Sequence, residues 1–111
     1  MDSLNTLTLV GILDRDPSTR FEREGLQVTT FTLRLEEHGR EGKAGQVFRT
    51  YVPMIAYSKT AEVAADLNAG DLLGVEGKLV WRSDWPGQTK GTLAVLARQV
   101  TCLVPAPVAV T

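Results

Sequence analysis

A chain of 111 residues, 43% apolar and 23% charged, has the length for one hydrophobic core and not for a second. Twelve Lys and Arg stand against thirteen Asp and Glu, so the formal charge of -1 excludes a wholesale electrostatic pull on acidic partners, and any such pull must come from charges segregated onto one face. The chain lacks a run of about 18 apolar residues, carries Asp2 where a secretory signal has basic residues, and holds a single cysteine, Cys102, with no companion for a disulfide or a metal. A cytoplasmic protein outside the membrane and without cofactors is expected, with Cys102 as a small buried residue of the last strand.

Residues 6 to 13, TLTLVGIL, are β-branched and apolar and stop at the turn-like Asp14-Arg15-Asp16-Pro17, which predicts a first strand. Residues 18 to 21 can continue as a short extended piece, and Gly25 marks a turn. From 27 to 35, Thr30, Thr32 and Arg34 alternate with Phe31, Leu33 and Leu35, the pattern of a half-buried second strand. Residues 36 to 46, EEHGREGKAGQ, hold three glycines and five charges besides one histidine, and read as an exposed hairpin loop.

A third strand follows over 47 to 57. Period two places Phe48, Thr50, Val52, Met54 and Ala56 on one face and Arg49, Tyr51, Pro53, Ile55 and Tyr57 on the other. Pro53 cannot donate to a ladder, which predicts an edge or a bulge there. Residues 59 to 67 favour a short helix with Ser58 as its N-cap and Asn68-Ala69-Gly70 as its close. In the fourth strand, 71 to 80, Leu73, Val75, Gly77 and Leu79 share one face and Gly74, Glu76, Lys78 and Val80 the other, with Gly77 predicting a bend or bulge. A protruding hairpin with Trp81 and Trp85 leads to a fifth strand over 92 to 103.

The predicted class is all-β, a five-stranded OB-fold barrel with one short helix between strands 3 and 4. Closure removes exposed edges, and the face of strands 2 and 3 with its long loops accepts single strands or oligosaccharides. Periodicity alone leaves other small barrels open. The domain is expected over 1–104, with a flexible tail at 105–111.

Specific residues add to this pattern. Leu9-Val10-Gly11-Ile12-Leu13-Asp14-Arg15-Asp16-Pro17 resembles the opening of bacterial single-stranded DNA-binding proteins. Phe31-Thr32-Leu33, Lys59-Thr60-Ala61-Glu62, and Ala69-Gly70-Asp71 leading to Val75-Glu76-Gly77-Lys78-Leu79 then follow in that family's order. The resemblance implies a five-stranded OB-fold, a homo-oligomer (dimer or tetramer), and single-stranded DNA wound over aromatic and basic residues near the nucleoid. It places Tyr51 and Tyr57 where the family has stacking aromatics on strand 3, and Trp85, with Trp81, near the stacking aromatic of the hairpin between strands 4 and 5. The family's loop tryptophan after strand 2 is replaced by Gly39, with His38 beside it. Replicative members carry a linker and an acidic tip that recruits replication or repair proteins, whereas this chain ends in PAPVAVT. That ending resembles the tailless primosomal replication proteins of the same fold, or a plasmid, phage or accessory copy, and is equally compatible with a truncated longer chain.

Every base has a π-face, so outward rings stack on any sequence while Lys and Arg follow the phosphates. Tyr51 and Tyr57, six apart on one strand, share a face and stand on the order of 20 Å apart. Against this, an outward tyrosine often packs under a loop with its hydroxyl satisfied. Arg34 and Arg49 flank them on the same face, and Lys78 and Arg82 are expected on the outward set of strand 4 as phosphate contacts. Trp85 is the better stacking candidate of the hairpin, because Trp81 continues the inward set of strand 4 and fits the core as well as a ligand. Arg15, Arg20, Arg23, Arg40 and Lys43 are interleaved with carboxylates and read as solvated mixed charge. No catalytic constellation emerges, since one histidine and one distant cysteine make no nucleophile and base pair. Two readings therefore stand: a module binding single-stranded DNA, and a protein-interaction or structural subunit of a replication-restart complex that keeps the fold with weak or no DNA binding.

Overall fold

The computed structural model describes residues 2–39, 45–85, 87 and 89–108. Arg40, Lys43, Pro86 and the end of the expected tail, 109–111, lie outside the described residues. The elements run β1 (Leu7–Leu13), β2 (Ser18–Phe21), a 3-10 turn (Arg23–Gly25), β3 (Gln27–His38), β4 (Val47–Tyr57), α1 (Ser58–Ala65), β5 (Leu72–Arg82) and β6 (Thr92–Val104).

Five of the strands form a ring. β1 pairs antiparallel with β5, β5 with β6, β6 runs parallel to β4, β4 is antiparallel to β3, and β3 returns to β1 through Ile12–Arg34 and Leu13–Leu33. The short β2 adds to the outer edge of β3 from Ser18–Thr30 to Phe21–Gln27. This is the five-stranded, partly open ring of an OB-fold with its helix between β4 and β5, as the sequence predicts.

Two glycines let strands approach where the ring bends. A Cβ on Gly11 would stand 2.6 Å from the Arg34 carbonyl oxygen, and one on Gly77 would stand 2.1 Å from that of Leu96. Gly77 also marks a shift of register between β5 and β6, the bulge its sequence position predicts. Pro53 sits opposite Thr32 in an unbroken β3–β4 register, while the β4–β6 pairing is confined to Met54–Val95 and Ile55–Leu96. The proline therefore falls just outside the short stretch where β4 has two neighbours, consistent with an edge position.

Inside the ring, Leu13, Phe31, Leu33, Met54, Ala56, Leu73, Val75, Val95, Ala97 and Val100 form one cluster, closed at one end by Ala61 and Ala64 of α1. The helix can sit close because its buried face carries only methyl groups. Thr29, the buried polar residue beneath it, donates from Oγ1 to the Ala61 carbonyl at 2.9 Å, so its burial costs little. Asp71, also buried, accepts from the backbone N–H groups of Asn68 and Ala106, which ties the chain after β6 to the connection between α1 and β5.

Four local expectations are corrected. Ser58 is not an N-cap: β4 runs straight into the helix, the cap position falls on Tyr57, and no side chain caps the first turn. Residues 36 to 38 are strand rather than loop, with Glu36 opposite Arg49, Glu37 opposite Phe48 and His38 opposite Val47. Cys102 is exposed, although its register partner Leu73 is buried in the core. Phe48 and Trp81 keep the inward parity that alternation assigns them, yet both are exposed, on the β3–β4 and β5–β6 hairpins where these run beyond the ring.

Candidate nucleic-acid interface

Residues directly opposite in paired strands share a face, so the registers define the outer surface of β3, β4, β6 and β5 without ambiguity. Across β3 and β4 the pairs of this parity are Val28–Tyr57, Thr30–Ile55, Thr32–Pro53, Arg34–Tyr51 and Glu36–Arg49, of which Val28 and Ile55 are fully buried. Ile55–Leu96 carries the face onto β6, and Lys78–Leu96, Val80–Ala94 and Arg82–Thr92 carry it onto β5. Arg34, Arg49, Tyr51, Tyr57, Lys78 and Arg82 thus share one side of the sheet, with the buried Ile55 at the join between β4 and β6. Trp81 does not: opposite Leu93, it stands on the other side of the hairpin, 64% exposed and against Gly91.

Trp85 comes to this surface from the β5–β6 connection. With Tyr51, Pro53, Thr32, Thr92, Asp14 and Arg15 it lines a cleft of about 530 Å³, and with Arg15, Asp16, Ser18, Thr30, Phe31 and Thr32 a smaller adjoining one of about 200 Å³. Tyr51 is 54% exposed and Trp85 half-buried, so two rings from different elements border one open groove. Its floor is short-chained, Thr32, Pro53 and Thr92, which leaves room above the sheet. Tyr57 differs. It is half-buried and its hydroxyl accepts from Arg82 Nη1 at 2.8 Å, a bond that reaches across β6 and fixes both side chains.

The cations are not free. Arg82 also pairs with Asp84 at 3.0 Å. Arg34 Nη1 donates to Asp14 Oδ1 at 3.3 Å, and its Nε lies 2.9 Å from Glu36 Oε1. Arg49 Nε donates to that same Glu36 oxygen at 3.3 Å, and Arg15 Nε lies 3.7 Å from Asp14 Oδ2. The result is a line of alternating charge, Arg15, Asp14, Arg34, Glu36, Arg49, running from the β1–β2 turn to β4. The Glu36 carboxyl titrates below its ordinary value, chiefly because Arg49 hydrogen-bonds to it; partial desolvation opposes the shift, and the positive charges of Arg34 and Arg49 add to it. Lys78, half-buried, makes no ion pair among the described residues.

Sequence reasoning overlooked Arg15 as a groove residue and Glu36 as the partner of two arginines. The second was legible: Glu36 follows Arg34 by two residues and therefore shares its face, a relation hidden by ending the strand at Leu35. Among the described residues, no group of three or more His, Cys, Asp or Glu side chains gathers as a metal ligand set, and no helix is long and apolar enough to cross a membrane.

Comparison with known proteins gives the family and agrees with the fold. The model of the single-strand binding protein family matches residues 4–103. The single-stranded DNA-binding protein of Caldanaerobacter subterraneus subsp. tengcongensis is 31% identical over 105 residues, covering 92% of this chain and 69% of that protein. Single-stranded DNA-binding protein 3 of Listeria innocua is 35% identical over 81 residues, 72% of this chain and 50% of the relative. Among solved structures, the wild-type single-stranded DNA binding protein from Thermus aquaticus superposes with a TM-score of 0.74 at 26% identity, over 90% of this chain and 50% of that one. The protein priB from Ralstonia solanacearum superposes at 0.69 over 90% of this chain and 99% of its own, but at 17% identity this shows a shared fold alone. The chain thus spans 69% and 50% of the length of the two curated relatives.

Proposed function

Because the chain belongs to the single-strand binding protein family, we propose that it binds single-stranded DNA, with little sequence preference, across the outer face of β3, β4, β6 and β5. The family consists of non-enzymatic DNA-binding proteins, so the chemistry required is recognition and not turnover. The observation that carries the reading is the groove bordered by Tyr51 and Trp85 over a threonine and proline floor. Rings held open to solvent on either side of a shallow track stack with any base, at about 1–3 kcal/mol per base. Lys78, Arg15 and the arginines beside the groove supply the phosphate contacts. Tyr57 and Arg82, bonded to each other, form a polar station beyond the groove.

Three further points belong to this proposal. Assembly into a dimer or tetramer is supported by β1, whose second edge pairs with β3 only at Ile12 and Leu13 and leaves Leu7–Val10 to meet a second copy. Action in replication, recombination or repair, at the nucleoid in the cytoplasm and beside other replication or repair proteins, is supported by the family alone. The division into a domain at 1–104 and a tail at 105–111 is supported by β6 ending at Val104, although Ala106 remains bonded to Asp71.

One observation favours the rival reading of an interaction subunit with weak or no DNA binding: each of Arg15, Arg34, Arg49 and Arg82 is met by a carboxylate. Fluorescence anisotropy of labelled oligo-dT separates the two. The proposal expects binding that weakens as salt rises, and a loss of about 1–3 kcal/mol per unstacked base when Tyr51→Ala and Trp85→Ala are combined, with the circular dichroism spectrum unchanged. A folded wild-type protein that leaves oligo-dT unbound at low salt contradicts it.

A further inference from the structure

The charges beside the groove form a circuit whose parts are unequally held. Arg49 is 52% exposed and meets one carboxylate among the described residues, Glu36. Arg34 is 29% exposed and is held twice, by Glu36 and by Asp14, itself only 17% exposed. A single Glu36 oxygen, Oε1, accepts a hydrogen bond from Arg49 Nε at 3.3 Å and lies 2.9 Å from Arg34 Nε, a buried nitrogen that pairs with it by charge and makes no hydrogen bond. Arg34 lies opposite Tyr51 in the β3–β4 register, and Glu36 opposite Arg49 one outward step further along. A strand whose base stacks on Tyr51 therefore carries its neighbouring phosphate past the two guanidinium groups that Glu36 occupies.

Resting on the DNA-binding reading of this same face, we propose that Glu36 is an internal stand-in for a backbone phosphate. Carboxylate and phosphate oxygens compete for the same planar guanidinium donors, and both bonds are charge-assisted. In the free protein Glu36 holds Arg34 and Arg49 aligned along the track. When a phosphate arrives it takes over the donors of Arg49 first, because Arg34 stays anchored on Asp14. Ion pairs as exposed as these are weak, so the exchange is readily made. What is lost is net attraction: an arginine already neutralised by a carboxylate releases no counterion from the nucleic acid on balance. Glu36 thereby limits affinity and flattens its salt dependence.

The test is an oligo-dT titration of wild type and Glu36→Gln over a range of salt, with Glu37→Gln as the control. Glu37 removes the same charge one residue away, but its register partner is Phe48 and it faces the other side of the hairpin. Freeing one arginine for a single-stranded phosphate steepens the plot of log affinity against log salt by about 0.7, equivalent to about fivefold tighter binding at 0.1 M salt. Glu36→Gln is expected to show both changes, Glu37→Gln neither, and addition of Arg49→Gln to Glu36→Gln is expected to cancel both. Oligo-dT binding by Glu36→Gln and not by wild type contradicts the DNA-binding reading and, with it, the inference. Equal affinity and slope in wild type and Glu36→Gln, or the same gain in Glu37→Gln, overturns the inference while leaving DNA binding intact. Silence of both wild type and Glu36→Gln at low salt overturns the DNA-binding reading and the inference together.

Discussion

The closed part of the ring and the two hairpins that leave it obey the same alternation and end in opposite states. Within the ring, Leu33, Met54 and Leu73 face inward and are fully buried. Further along the same strands and their neighbours, Phe48, Trp81 and Leu93 keep inward parity and are half exposed or more. Period two decides which side of a sheet a residue takes. Burial needs a second surface to cover that side, and for the inward set the ring supplies it. The stability of the molecule therefore resides in the ring, while the groove is framed at the root of the β5–β6 arm and along the β3–β4 ladder.

Paired truncations sharpen that contrast. Leu33→Ala, which empties a fully enclosed site, is expected to cost about 2–5 kcal/mol of stability. Leu93→Ala, on the same kind of face but 52% exposed, is expected to stay within about 0.5 kcal/mol of wild type. Denaturant unfolding of the two variants checks this, and equal losses would erase the distinction between ring and arm.

The smallest expected effect concerns acid. Glu36 in the β3–β4 arm titrates below its ordinary value in the folded chain, so its ion pairs stabilise the protein above the unfolded value of 4.5 and are lost as pH falls through the folded one. As pH falls below 4.5, wild type should therefore lose slightly more stability than Glu36→Gln, and the two should run parallel well above that value. A divergence that grows toward neutral pH would contradict the sign.

Much of this architecture is legible in the residues themselves. The alternation of Phe31, Leu33 and Leu35 with Thr30, Thr32 and Arg34, the bulge at Gly77 and the edge position of Pro53 all follow from local rules. The gathering of Arg34, Arg49, Tyr51, Tyr57, Lys78 and Arg82 on one face follows from parity once the strands are paired. What escaped was the extent of the strands and the cover over them. Ending the second strand at Leu35 turned Glu36 into a solvated loop charge and hid its hold on two arginines. Parity and residue type favour burial for Trp81 and Cys102, yet both are exposed: Trp81 lies on the hairpin beyond the ring, while Cys102 stands opposite the buried Leu73 and no local rule marks it as exposed. Arg15 gained its place in the groove through the turn after β1, a placement that no periodic pattern encodes.

The two tryptophans test the account most directly, because they stand on opposite sides of one hairpin. Two single-tryptophan proteins, Trp81→Phe and Trp85→Phe, titrated with oligo-dT, report each side separately. The groove assignment predicts quenching when Trp85 is the sole reporter and near-constant emission when Trp81 is. Quenching of Trp81 alone, or of neither in a folded protein at low salt, would place DNA elsewhere or nowhere and contradict the account.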